Sequence, residues 1–386
     1  MGSKPRIAVL GGGNVGLTFA ADLTLAGFGV SLYDLPRFEE NLSRVKDHGG
    51  IEIAGACRTG LAKVDRVTTN IEEALQGVEV VIVAVPAYGQ ASFARICSPY
   101  LKDGVTIVLN PGYTFGAIEF SNALVEEGVN VDKMIISETN CCVYATRMYL
   151  PNRVWCGAVK AKMPFAAFPA KKTARALEIL NQIYPQRDGE RGLLIPASNV
   201  LETGLGNINP YFHVPMMILK AVDVELGEDP YLKSTESEAC RRLTNAMDRE
   251  GLALKRALGL KALSEHYIHD VLFYPSGQAM LDPKRSSISV PEWVKPENQP
   301  GPYAAGMGKS LLKMRYITED IPYALAGFSS LGDLIKVQTP IFDSLIAIAS
   351  TITATDFLVE GRTVEKLGMA NFTKHELLTY VNEGDS

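Results

Sequence analysis

Residues 6–16 read RIAVLGGGNVG, and the fold of the first half of the chain turns on this stretch. RIAVLG (6–11) is short, apolar and β-branched and ends in glycine, as a strand covered on both faces of a parallel sheet should. Gly11-Gly12-Gly13-Asn14-Val15-Gly16 fits G-x-G-x-x-G, a weak pattern by itself in a chain with 34 glycines. Its context strengthens it, because it follows a strand and opens the helical stretch LTFAADLTLAG (17–27). Gly11 permits the tight turn, Gly13 lets backbone approach a pyrophosphate, and Gly16 lets the helix pack on the strand. The first N–H groups of that helix, beginning at Asn14 and Val15, and its positive dipole end then attract phosphate. A purely structural strand-to-helix turn is the competing reading.

Asp34 closes a second strand, VSLYD (30–34). A carboxylate there accepts hydrogen bonds from an adenosine ribose and disfavours a 2′-phosphate. NAD is therefore the expected cofactor, while Arg37 just beyond keeps NADP open. Further strands are expected at VEVVIVAVP (78–86), VTIVLNPG (105–112) and KMIISET (133–139), with helical patterns such as QASFARICSPYL and AIEFSNALVEEG between them. This alternation predicts an α/β domain built on a Rossmann-type, doubly wound parallel sheet. Pro86-Ala87-Tyr88 and Asn110-Pro111-Gly112 end strands at the carboxyl edge, where ligands bind in such folds. Pro86 and Asn110 are thus expected to line the cofactor, although turn chemistry alone also favours these residue types.

NRVWCGAVKAKMPFAAF reads as extra strands and KKTARALEILNQIY (171–184) as a closing helix. Beyond about residue 196 the strand signal fades and helical periodicity takes over. The expected organisation is a dinucleotide-binding domain at 1–196 followed by a mostly helical substrate domain at 197–386. The Pro-, Gly- and charge-rich stretch 282–306 is expected to be a long exposed loop.

Composition limits the class. The 386 residues suffice for two cores, and 47% hydrophobic with 21% charged residues is the balance of a soluble globular protein. A net charge of −5 offers no basic face to nucleic acid or anionic lipid, and no apolar window approaches the ~20 residues of a membrane span. The six cysteines show no CxxC pair, which points to free thiols and a cytoplasmic setting. Small-molecule partners are expected, with no nucleic acid and no membrane; a homodimer is left open. His266-x-x-His269 lacks a third ligand of suitable spacing and reads as surface, so no metal is expected.

GNINPYFHVP (206–215) holds His213, one of only five histidines, among apolar groups that would bury it. A buried imidazole needs a hydrogen-bond partner. If 198–226 is one helix, then Glu202, Asn209 and His213 lie on one stripe facing an interdomain cleft. A core histidine bonded to a backbone carbonyl explains the segment equally well. MRYITEDIP (314–322) places Arg315 five residues before Asp320. Thr318-Glu319-Asp320 could cap a helix. Alternatively, Asp320 could orient His213 while Arg315 grips a substrate carboxylate.

The glycine loop, LNPG (109–112), SET (137–139), the N-x-N-x-x-x-H of Asn207, Asn209 and His213, RYITED (315–320) and DFLVEGRTVEKLG (356–368) together resemble the opine dehydrogenases. The resemblance is to the octopine/nopaline family, and especially to bacterial carboxyethyl-norvaline dehydrogenases, and it covers nearly the whole chain. It implies that His213 matches the catalytic histidine, Asp320 its aspartate partner and Arg315 the substrate-contacting arginine. It also matches Glu138 to a glutamate in the substrate cleft and makes Asn209 a candidate substrate-binding residue. Val214 stands where the family usually has proline, and Thr146 stands where relatives carry a cysteine near the keto acid. The implied reaction joins an amino acid to an α-keto acid such as pyruvate and reduces the imine with NAD(P)H. Competing readings are a ketopantoate-type reductase of a single 2-keto acid, a hydroxy-acid dehydrogenase and a non-catalytic NAD(H) sensor.

Overall fold

The computed structural model describes residues 4–150, 152–184, 193–226, 237–275, 291–294 and 313–384. In chain order the strands begin β1 (Ile7–Leu10), β2 (Val30–Tyr33), β3 (Ile51–Gly55), β4 (Gly60–Ala62), β5 (Arg66–Thr68) and β6 (Val80–Val83). They continue β7 (Thr106–Leu109), β8 (Ile135–Thr139), β9 (Tyr144–Leu150), β10 (Arg153–Val159), β11 (Met163–Phe168) and β12 (Leu194–Pro196). The main sheet runs β12-β11-β8-β7-β6-β1-β2-β5. Every side chain of β1 is buried, as expected for a central strand with helices on both faces.

β1 pairs in parallel with β2 on one side and β6 on the other, so the order of strands reverses there. Such a reversal opens a crevice at the carboxyl ends of the two central strands. The ends of β1 and β6 converge closely: the Ala84 amide donates to the Leu10 carbonyl at 2.8 Å. A Cβ on Gly11 would stand 2.7 Å from the Ala84 carbonyl oxygen, and Gly11 has φ +107°, so only glycine fits. The expected strands at 6–11, 30–34, 78–86, 105–112 and 133–139 are all present.

Four features depart from the sequence reading. β11 runs antiparallel to β8, so the sheet is not wholly parallel. A second sheet, β4-β3-β10-β9, was not expected, and β10 joins it rather than the main sheet. It packs on the helix Asn14–Leu25 through Phe19 and Tyr144, whose rings lie 4.8 Å apart, and through the Tyr144 hydroxyl, which donates to Asp22 at 2.7 Å. Within the loop expected at 282–306, residues 291–294 are not exposed coil. Trp293 donates to Glu52 at 2.9 Å and Val294 is buried against Trp155. The rest of that loop lies outside the described residues.

The single helix expected over 198–226 is a further departure. The chain forms Val200–Leu205, bends through Gly206–Ile208, and then forms Asn209–Leu219 and Ala221–Glu225. Pro210 sits in the first turn of the second piece, where its missing N–H costs nothing. Glu202 is consequently off the His213 stripe and accepts instead from Ser198 at 2.6 Å. Beyond β12 the regular elements among the described residues are helical, led by Glu238–Ala257, Ala326–Ile335 and Pro340–Thr353.

Two buried ionisable groups join these helices to the sheet edge. Arg362 is fully buried and donates to the carbonyls of Gly112, Thr114 and Ala87 at 3.0–3.1 Å, and to Gln90 and Glu119. Glu138, at the end of β8, is 0% exposed. It accepts from the Ala117 amide at 2.8 Å and the Thr203 hydroxyl at 2.5 Å. Burial pushes its carboxyl from 4.5 up to about 7, against the opposing effects of Thr203, Ala117 and Arg362.

Across that window the folded chain holds a proton that the unfolded chain has released. Stability should therefore fall as pH rises from about 4.5 to about 7 and level off above it. Urea denaturation at pH 5 and 7.5 should show Glu138 contributing a loss of about 2–3 kcal/mol. Glu138→Gln cannot titrate and should lack that component. Identical pH slopes for the two proteins would refute the assignment.

Candidate active site

The phosphate side of the site is built from contiguous residues. Gly13 begins the helix Asn14–Leu25, whose first turn carries no acid, and nothing lies within 4 Å of where its Cβ would stand. Gly16 could not be replaced, because a Cβ would stand 1.7 Å from the Gly11 carbonyl oxygen. Asp34 is buried at the end of β2 and accepts from the Gly12 and Leu35 amides, each at 2.8 Å. Burial raises its pKa, while those two bonds and Arg37 pull it down. Each carboxylate oxygen keeps a lone pair for a further donor. Arg37 is exposed, with its guanidinium 5.0 Å from the Phe38 ring. An open backbone at Gly13, a helix end without acid and a carboxylate after β2 fit a dinucleotide.

Two of the expected cofactor residues are committed elsewhere. The Asn14 side chain accepts from the Met148 amide at 2.9 Å, tying the loop to β9. Asn110 donates to Tyr184 at 3.1 Å and accepts from the Val143 amide at 3.2 Å, so its side chain braces the strand end from within. Pro86 caps the turn Ala87–Gly89, and Val15 is half-buried in the core below the loop.

The helical side hangs from the same carboxyl edge. The residues after β8 hold the bend that precedes the helix Asn209–Leu219. Asn140 donates to the Gly206 carbonyl at 3.0 Å, and the Cys141 thiol donates to Asn209 at 3.5 Å. One turn further on, His213 Nδ1 lies 2.7 Å from Asp320 Oδ2. The Tyr316 ring lies against the imidazole, its centroid 4.1 Å away. Asp320 is buried, and its other oxygen, Oδ1, has no hydrogen-bond partner. It caps nothing, although it directly precedes the wide turn Ile321–Leu325. The capping alternative for Thr318-Glu319-Asp320 is thereby corrected, because both acids point to specific partners.

Glu319 is the residue that the sequence reading undervalued. It accepts from the Ala87 amide at 2.6 Å and from both Nε and Nη2 of Arg315 at 2.5 Å. Burial raises its pKa, and Arg315 is the chief opposing influence. The arginine side chain remains 55% exposed, so Nη1 is available beyond its partner. Tyr113 was also missed. It is buried, adopts φ +60°, and lies within electrostatic reach of Asp320, Glu319 and Arg315. Burial and the two carboxylates hold its phenol well above the usual value, so it is a neutral donor.

The structure thus brings together His213, Asp320, Arg315 and, through Cys141, Asn209. Glu138 does not join them as a cleft side chain. Its oxygens are engaged by Ala117 and Thr203 inside the domain junction. Thr146 bonds Thr18 at 2.7 Å and the Trp155 carbonyl at 3.0 Å, which places it against the phosphate-loop helix. His266 and His269 each pair with Asp270. Among the described residues no cluster of three or more metal-ligating side chains occurs, and no helix is long and apolar enough to cross a membrane. All six cysteines are free thiols.

Known proteins share this build. A model of the NAD/NADP octopine/nopaline dehydrogenase α-helical domain matches residues 196–353, and the ketopantoate reductase PanE/ApbA model matches residues 7–114. A structure of octopine dehydrogenase in complex with NADH and agmatine superposes with a TM-score of 0.72 at 17% identity, over 97% of this chain and 98% of that one. The vitopine synthase of Allorhizobium ampelinum is 22% identical over 98% of this chain and 99% of its own. An opine dehydrogenase of Arthrobacter sp. (strain 1C) is 32% identical over 95% of this chain and 96% of its own. Identity at that level, sustained from the glycine loop to the last helices, places the chain in the opine dehydrogenase family.

Proposed function

We propose that the protein is an NAD(H)-dependent opine dehydrogenase that condenses an α-keto acid such as pyruvate with the amino group of an amino acid. The observation that carries this reading is the His213–Asp320 pair, 2.7 Å apart, beside an arginine that keeps an open donor face. Residues 1–196 would hold the cofactor and 197–386 the amino and keto acids. Support for that division comes from the last strand, β12, ending at Pro196.

Gly11, Gly13 and Gly16 would hold the pyrophosphate with backbone N–H groups, and Asp34 the ribose. NADH bound there supplies the hydride that reduces the imine. The chain's own part is proton handling and orientation. An ammonium must lose a proton before its nitrogen attacks a carbonyl carbon, and the carbonyl oxygen must gain protons to leave as water. An imidazole can take the first and return it to the second at neutral pH. Asp320 fixes the tautomer, because its bond to Nδ1 leaves Nε2 to face the reacting atoms. Arg315 presents a planar fork to a keto-acid carboxylate, and Glu319 keeps that fork in place.

The family also supplies the octopine dehydrogenase structure with NADH and pyruvate, while a yersinopine dehydrogenase structure is NADP+-bound. Asp34 supports NAD as the working cofactor here.

The test follows NADH oxidation with pyruvate alone and with pyruvate plus pooled amino acids. Oxidation that requires both components is the expected outcome; oxidation with the keto acid alone would make the protein a simple reductase. His213→Ala should bind NADH as the wild type does and lose about 10²–10⁴-fold in turnover. Undiminished turnover would remove His213 from the chemistry. Arg315→Lys keeps the charge but not the fork, so the KM for pyruvate should rise roughly tenfold with a smaller change in kcat. An unchanged KM would take Arg315 out of the keto-acid site.

A further inference from the structure

Lys160 follows β10 and is only 5% exposed. Its ammonium donates to the Cys142 carbonyl and lies 4.9 Å from the centre of the Phe273 ring and 5.9 Å from that of Tyr274. Burial acts to lower its pKa, while Cys141, Tyr274 and Cys142 around it act the other way, Cys141 also as a hydrogen-bond acceptor, and the net shift is upward. Burial holds the Cys142 thiol up to about 12, and it also raises the Tyr274 phenol. Among the described residues no carboxylate forms an ion pair with Lys160. An enclosed ammonium without a counter-charge is costly, and the cost is relieved when an anion arrives.

Its position says which anion. Cys141 links Lys160 to Asn209, since that thiol donates to Asn209 Oδ1 at 3.5 Å. Asn209 lies one turn before His213 on the same helix. On the other side, Cys142 is within electrostatic reach of both Lys160 and Arg315. The two cations therefore both lie near Cys142, Lys160 contributed by the sheet domain after β10 and Arg315 by the helical one. A thiol is a weak acceptor, so the donor directed at Cys141 is the one a ligand oxygen would take over.

We infer that Lys160 anchors the α-carboxylate of the amino acid substrate, while Arg315 takes that of the keto acid. This rests on the proposed condensation, in which each reactant carries one α-carboxylate and Arg315 can serve only one of them. Two fixed anchors would hold the amino nitrogen and the keto carbon at a set separation beneath His213. Lys160 is a substrate-binding residue in this scheme, and its cation needs no negative residue of the chain because the substrate brings one.

The test uses Lys160→Gln, which keeps a donor for the Cys142 carbonyl, and Lys160→Met, which keeps the length of the stem. Each variant is assayed with pyruvate and either L-arginine or L-norvaline, and again with the corresponding carboxylate-free amines, agmatine and butylamine. Thermal melting and NADH binding report whether each variant is folded. The expected result is a KM for the amino acid raised roughly 10- to 100-fold, with the KM for pyruvate and NADH affinity within about twofold of wild type. The wild-type preference for the amino acid over its carboxylate-free amine should collapse in the same variants. An unchanged amino-acid KM in either folded variant overturns the assignment. So does an equal rise for the amine, which would mark a structural role, or a rise confined to pyruvate. A wild type that oxidises NADH without any amine refutes the condensation and this anchor together, whereas an amine-dependent wild type with indifferent variants refutes the anchor alone.

Discussion

The site depends first on the burial of one guanidinium. Arg362 reaches from the far end of the chain to the carbonyls of Gly112 and Thr114 after β7 and of Ala87 after β6. Those turns are the carboxyl edge of the sheet, where the cofactor crevice opens. The Arg362 amide is bonded to Pro322, two residues past Asp320, so the same residue holds both walls. A fully buried cation that satisfies several acceptors is a geometric constraint more than a source of stability, because its desolvation offsets much of the attraction. Removing it would leave three buried carbonyls and Glu119 without their donor. Losses of this kind run to about 3–5 kcal/mol, a large share of a typical folding free energy.

Around that clamp, charge is distributed by pairs. Asp320 meets His213, Glu319 meets Arg315 and the Ala87 amide, and Glu138 meets Thr203 and the Ala117 amide. Glu319 and Glu138 cross from one domain to the other, while Asp320 and His213 join two helical segments of the second. Tyr113 is held in a left-handed backbone at φ +60° because hydrogen bonds engage its neighbours on every side: Thr139 and Arg362 at Gly112, Tyr323 and Arg362 at Thr114. Local strain of this sort persists where surrounding structure over-determines it, commonly at functional sites. Lys160 breaks the pattern of pairing, which is why it stands out as a place for a ligand's charge.

Some errors of the sequence reading follow from the same physics. The stripe of Glu202, Asn209 and His213 assumed a continuous helix, and the bend at Gly206–Ile208 removed Glu202 from it. Asn110 and Glu138 were placed by motif at the right edge of the sheet, but the motif does not say which way a side chain turns. Asn110 turns toward Tyr184 and Glu138 toward Thr203, both inside the protein. The second sheet escaped notice because its strands pair across long stretches of sequence, Arg153 beside Glu52 and Cys156 beside Gly55.

What the sequence alone determined is what local chemistry can decide. The glycine loop, its strand and its helix are contiguous, and their steric needs are met by near neighbours, so the dinucleotide-binding half was legible from eleven residues. The pieces of the second half, N-x-N-x-x-x-H and R-Y-x-x-E-D, were legible as motifs of a family without revealing their contacts. Only the tertiary structure decided which groups meet. His213 and Asp320 are 107 positions apart, Ala87 and Glu319 232, and Gly112 and Arg362 250. Contacts at such separations are set by how helices pack on one another and on the sheet edge around a buried charge, and no spacing along the chain encodes that.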